Sequence, residues 1–102
     1  MANKIEVAKT SELSPGSCKV VKIESQEIAL YNVGGRFFAT SNECIHQGGP
    51  LGEGCLNGKV ITCPWHKWTF NVTTGENTKD SNSKVPCFPV TVEDDKVFIE
   101  MD

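Results

Sequence analysis

Histidine is scarce in this chain: His46 and His66 are the only two in 102 residues. A single site that uses both leaves none for a second metal held by two histidines and a carboxylate. Clustered Lys and Arg are lacking as well. The formal net charge is -3 and the pI about 5.3, and no basic run is present to follow a phosphate backbone, which argues against a nucleic-acid partner. Long apolar runs are also missing. The opening MANKIEVAKTSEL has no apolar stretch of the secretory kind, and no segment approaches the roughly 18–20 apolar residues needed to cross a bilayer. The expectation is a soluble, cytoplasmic protein without a membrane partner, whose cysteines stay reduced. Helical periodicity is weak, and neither a repeat nor a low-complexity tract interrupts the chain.

A chain of this length can build one domain, residues 1–102, with its own core, and is too short for two ordinary ones. Short alternating apolar stretches dominate it. Ile5 and Val7 alternate with polar neighbours, Ser14-Pro15-Gly16 marks a turn, and residues 18–23 read as a second strand. Residues 28–33 and 36–40 flank Gly34-Gly35, a two-residue hairpin signal. Further on, residues 69–72 read as a strand closed by Thr73-Thr74-Gly75, and residues 75–84 as a long polar surface loop. Residues 85–93, the turn Asp94-Asp95 and residues 96–100 read as a final hairpin. Its first strand is expected to start late or run along an edge, because Pro86 and Pro89 cannot donate to a ladder. The pattern is that of an all-β domain.

Between the two sets of strands lies residues 44–66, CIHQGGPLGEGCLNGKVITCPWH. Cys44 and His46 open it, Cys63 and His66 close it, and sixteen residues separate His46 from Cys63. Two thiols and two imidazoles in two short loops describe a metal site. A Cys2His2 zinc finger puts both cysteines in one loop and both histidines in the other, whereas here each loop carries one of each. That arrangement suits a centre with two unlike ends, such as a [2Fe-2S] rhomb with two Cys on one iron and two His on the other. The other cysteines stand outside the motif. Cys18 and Cys87 fall in alternating apolar patterns and read as buried small hydrophobes, while Cys55 reads as a partly exposed thiol with no role.

Cys44-x-His46-Gln47-Gly48-Gly49-Pro50-Leu51, followed by Cys63-Pro64-Trp65-His66, Phe70 and Thr74-Gly75, resembles the Rieske iron–sulfur motif in its small soluble ferredoxin form. The resemblance implies an antiparallel β-sandwich or barrel base with a small cluster-binding subdomain, about residues 42–72, carried on two loops. It implies one [2Fe-2S] cluster, with Cys44 and Cys63 on one iron and His46 and His66 on the other. It also implies an electron carrier rather than an enzyme, passing electrons from an NAD(P)H-dependent flavoprotein reductase to a terminal oxygenase through an exposed tip at His46 and His66. High-potential members of that family carry an extra cysteine in each cluster loop, joined as a disulfide, and this chain has none there. They also place a serine and a tyrosine after the last ligand to donate hydrogen bonds toward sulfur, where this chain has Trp68 and Phe70.

Two thiolates and two neutral imidazoles leave a diferric centre uncharged, whereas four thiolates make it a dianion. Adding an electron is therefore easier with the mixed set, and the class spans roughly -150 to +300 mV. Without the two hydroxyl donors this chain belongs near the low end. Gly48 and Gly49 are read as sulfur-facing backbone, Gly52 and Gly54 as turn glycines, and Pro50, Pro64 and Trp65 as a cover over the thiolate-bound iron. Trp68 and Phe70 are read as packing, and Lys67 as a solvated surface residue. Oxygenases with the same cluster add a mononuclear iron held by two His and a carboxylate, and no histidine is left here for one. Two other readings stay open: an accessory subunit bound permanently to a larger reductase, and a zinc-held interaction module that would be colourless and unfold with chelator.

Overall fold

The structure, a computed structural model, describes residues 3–23, 26–42, 50–64, 68–80 and 82–101. Along the chain the strands are β1 (Asn3–Lys9), β2 (Cys18–Ile23), β3 (Gln26–Val33), β4 (Arg36–Ser41) and β5 (Cys55–Asn57). They continue as β6 (Val60–Thr62), β7 (Thr69–Asn71), β8 (Cys87–Phe88), β9 (Val90–Glu93) and β10 (Lys96–Met101). Short 3-10 turns at Thr10–Glu12 and Leu51–Glu53 are the helical elements among the described residues. All strand pairings are antiparallel, in three sheets ordered β1-β10-β9, β2-β3-β4-β8 and β5-β6-β7. The all-β antiparallel expectation is met.

The architecture turns on β3. Its run Ile28-Ala29-Leu30-Tyr31 is apolar without a break, and all four residues are fully buried. With a side-chain period of two, Ile28 and Leu30 face one way and Ala29 and Tyr31 the other, so one strand serves as the wall of two cores. The first core joins Ile28 and Leu30 to Val21, Ile23 and Ala39 of the same sheet, and to Ala8, Val97 and Ile99 of the β1-β10-β9 sheet. The second joins Ala29 and Tyr31 to Leu51, Ile61, Cys63, Phe70, Val72 and Val85. Each large apolar side chain removed from water contributes about 1.5–3 kcal/mol, which holds the β5-β6-β7 sheet against the outer face of β3.

Turn chemistry sets the registers. Gly34-Gly35 joins β3 to β4 with Val33 opposite Arg36, and both glycines have positive φ, as a tight type I′ hairpin requires. The β9–β10 turn has the same two-residue length, with φ of 51° at Asp94 and 62° at Asp95. Most of the described residues in 75–84 are exposed, as expected of a surface loop, although Gly75 and Asn77 are buried. They are nonetheless tied back by bridges pairing Phe70 with Asn77 and Glu76 with Lys84.

Three expectations need correction. Residues 85–93 do not form one strand of a hairpin: Pro89 lacks the N–H that would continue the ladder, and the chain changes sheets there. β8 pairs with β4, and β9 pairs with β10. The strand begins only at Cys87, so its side-chain parity does not extend back to Val85. Val85 is buried, but Cys87 is exposed rather than a core residue. Finally, the stretch between the ligand pairs contains a hairpin, β5–β6, where the sequence reading saw only Gly-rich loop. Gly58, with φ of 62°, supplies the first central residue of its two-residue turn. No helix among the described residues is long and apolar enough to cross a membrane.

Candidate metal centre

The first ligand loop leaves the base at the end of β4. Asn42, the last described residue before it, is 3% exposed. Its carbonyl accepts from Leu51 N at 2.8 Å, and its side-chain Oδ1 accepts from Gly52 N at 2.7 Å. On the other side, Asn42 N donates to the Glu27 carbonyl at 3.2 Å, and Nδ2 donates to Glu27 Oε1 at 3.3 Å. The chain therefore leaves at Asn42 and is back in register at Leu51. The returning strand is tightened by the 3-10 turn, in which Glu53 N donates to Pro50 O and Gly54 N to Leu51 O, both at 3.0 Å.

The second loop springs from β6. Cys63 follows Thr62 directly and is 1% exposed. Its N–H donates to the Trp68 carbonyl at 2.7 Å, which closes the neck around residues 64–67. The Cys63 side chain belongs to the second core with Leu51, Ile61 and Phe70, and Trp68 packs against that cluster with its ring centroid 6.4 Å from that of Phe70. Trp68 and Phe70 are thus packing residues, as expected. The two necks adjoin, since Cys55 of β5 pairs with Thr62 of β6 and a Cβ on Gly54 would fall on the Thr62 carbonyl. Pro50 is half-buried and Pro64 exposed, and the Cys63 side chain is itself covered by the apolar cluster.

Of the four expected ligands the structure describes Cys63. Cys44, His46 and His66 lie outside the described residues, as do Gln47, Gly48, Gly49, Trp65 and Lys67. Among the described residues no group of three His, Cys, Asp or Glu side chains is placed to hold a metal. Cys63 itself fits a thiolate ligand of a buried centre. It is held in apolar surroundings at the mouth of a closed neck, where an uncompensated thiolate would be costly and a metal would provide the compensating charge.

The remaining thiols differ from it, and none of the described cysteines is in a disulfide. Cys18 is half-buried with Sγ 3.4 Å from the Gly52 carbonyl and 3.7 Å from that of Gly54, so it lies beneath the returning strand of the first loop. Burial, and then the neighbouring Cys55, push its thiol up from the usual value. Cys55 is exposed, in line with its reading. Cys87 is exposed as a residue, yet its Sγ sits 3.8 Å from the Val85 carbonyl, and loss of hydration there raises its pKa. The sequence reading missed Asn42 entirely. The signal available was an Asn two residues before the first ligand cysteine, a residue type suited to bracketing loop backbone.

Comparison with known proteins bears on the same elements. The family model of the Rieske [2Fe-2S] domain matches residues 3–89. The ferredoxin component of the naphthalene 1,2-dioxygenase/salicylate 5-hydroxylase systems of Ralstonia sp is 35% identical over 98% of this chain and 97% of that protein. The ferredoxin of Sphingomonas yanoikuyae B1 superposes with a TM-score of 0.88 at 31% identity, covering 98% of this chain and all of that one. A ferredoxin in a complex of reduced oxygenase and oxidized ferredoxin, in carbazole 1,9a-dioxygenase, superposes with a TM-score of 0.84 at 36% identity, over 94% of this chain and 91% of its own.

Proposed function

This chain belongs to the Rieske [2Fe-2S] domain family, and we propose that it is a one-electron carrier of the ferredoxin kind, serving a terminal oxygenase. The observation that carries the reading is Cys63, a thiol 1% exposed at the closed neck of the loop that bears His66. Cys44 and Cys63 would hold one iron, and His46 and His66 the other. The domain spans residues 1–102, with the cluster-binding lobe at about 42–72. When bound, the cluster supplies reversible one-electron chemistry in a range of roughly -150 to +300 mV, and this chain sits near the low end.

The residues around the centre do the rest. The apolar cover of Leu51, Ile61, Phe70 and Trp68 keeps water from Cys63. Trp68 and Phe70 bring no hydroxyl to the sulfurs, which leaves added negative charge less stabilised and the potential low. His46 and His66 would present the bound centre to its partners, an NAD(P)H-dependent flavoprotein reductase as donor and the oxygenase as acceptor, at a small transient interface. The protein works in the cytoplasm. Low-temperature electron paramagnetic resonance of dithionite-reduced protein, with metal analysis, tests the reading. A rhombic [2Fe-2S] signal and about two irons per chain are expected. Silence with one zinc per chain, in protein made anaerobically, would overturn it.

A further inference from the structure

We infer that Asn42 is a positioning residue for the cluster, its side-chain amide setting the neck of the loop that carries Cys44 and His46. The inference rests on the ligand reading proposed above. Both backbone groups and both ends of the amide of Asn42 are engaged, toward Glu27 on one side and toward Leu51 and Gly52 on the other. A neck closed by the backbone alone would have the single bond from Leu51 N to Asn42 O. The amide adds a second bond from the next residue, Gly52, and two bonds at successive residues fix the twist of the neck as well as its width. Because β3 supplies Glu27, the same side chain also ties the neck to the wall shared by both cores.

The partner half of the bond is equally specified. A Cβ on Gly52 would lie 2.6 Å from Val20 Cγ2, 3.0 Å from Asn42 Oδ1 and 3.1 Å from the Lys19 carbonyl. A side chain at residue 52 would meet Val20 and press on the amide, so glycine fits this bond without displacing its neighbours. An acceptor is required at Asn42 because a buried Gly52 N–H without one bears its full desolvation cost. Partners that orient metal ligands from behind typically change metal retention by about 10–100-fold when removed.

The test uses holoprotein and reads cluster release to excess chelator, reduction potential and the resonance line shape of the reduced state. Asn42→Leu keeps the volume and removes both polar ends. It should release the cluster about ten-fold faster or more, with a changed line shape and a shifted potential. Asn42→Asp in a Glu27→Gln background, where the glutamine amide can donate to the carboxylate that replaces Nδ2, keeps the acceptor for Gly52 N and should release within about three-fold of the Glu27→Gln parent. Ile99→Val, in the first core, should lower the melting temperature and leave line shape and potential alone. If Asn42→Leu yields no holoprotein, Gly52→Ala in a Val20→Ala background serves instead. That variant presses on Asn42 Oδ1 from the other half of the bond and should shift line shape and release in the same direction. Asn42→Leu or the double variant with parental line shape, potential and release overturns the inference. So does Asn42→Asp with Glu27→Gln impaired as severely as Asn42→Leu, since the acceptor would then be irrelevant. A parent without the rhombic signal overturns the ligand reading, and this inference falls with it.

Discussion

Tyr31 shows what a single side chain does when placed between a base and a cluster lobe. It is fully buried on the outer face of β3, and its hydroxyl shares a 2.9 Å hydrogen bond with Thr40 Oγ1. Burial pushes its pKa well above the ordinary value, with the bond to Thr40 opposing and the thiols of Cys18, Cys87 and Cys63 adding. A tyrosine in the unfolded chain ionises at about pH 10. Above that pH the unfolded state has lost a proton that the folded state still holds, so stability falls as pH rises, by up to about 1.4 kcal/mol per unit. Tyr31→Phe removes this contribution. Below pH 9 it should cost about 1 kcal/mol for the lost hydrogen bond, since Thr40 Oγ1 keeps its 3.0 Å bond to the Ser41 carbonyl. Urea titrations of both proteins from pH 8 to 11 should show that gap closing above about pH 10. The raised thiols of Cys18 and Cys87 are common to both and cancel. A gap constant to pH 11 would show that the phenol ionises in the fold as readily as in water. Cys63 makes the complementary point through chemistry: Cys63→Ser swaps a thiolate ligand for a poor one in the same volume. Purified protein should lose visible absorbance and at least half its iron, and a variant retaining the parental spectrum would remove Cys63 from the ligand set.

At the scale of elements, turns and short strands decide what could be read ahead of the structure. The turn between β9 and β10 places two aspartates at positive φ, a conformation that costs non-glycine residues about 1–2 kcal/mol and that a type I′ hairpin reserves for Asn-Gly or Asp-Gly. Asp95→Gly should therefore raise stability by about 1 kcal/mol, measured as a higher urea midpoint at unchanged slope. A lower midpoint would mean that backbone freedom gained in the unfolded chain outweighs the relieved strain. Such turns announce themselves, as Gly34-Gly35 and Asp94-Asp95 did. β2, β3 and β4 were legible because each is six residues or longer, rich in apolar and β-branched residues, and bounded by a turn signal. The β5–β6 hairpin was not, because its strands are three residues each, too short to show a period of two among the flanking glycines. Its signal was nonetheless present in Asn57-Gly58 between Leu56 and Val60. The ligand spacing was legible because it is local, within two loops of known residue types. The Asn42–Gly52 bond was not, because it depends on β4 and the Leu51–Glu53 turn meeting in space.

Across the whole molecule the two cores are unequal in what supports them. The first is enclosed by two sheets whose strands, apart from the two-residue β8, run four to eight residues, and none of its buried residues comes from the lobe. The second depends on β5, β6 and β7, each three residues long. A sheet of such strands is too small to stand alone, and its order derives from burying Leu51, Ile61, Phe70 and Val72 on β3 and from the two necks. A cluster bound across both loops would add its binding free energy chiefly to this part of the fold, since no buried residue of the first core belongs to the lobe. Removing iron should therefore loosen the molecule unevenly. Hydrogen exchange on metal-free protein should show the amides of Ile61 and Phe70 losing at least about ten-fold in protection relative to holoprotein, while Ile28, Leu30, Val97 and Ile99 change little. The amide of Cys63, which closes the second neck on Trp68, should be among the first to exchange. Equal loss of protection in both sets would mean that β3 transmits the change and that the two cores fold as one cooperative unit. Retained protection at Ile61 and Phe70 would mean instead that apolar burial on β3 is sufficient to hold the lobe, with the cluster fitted into a site that already exists.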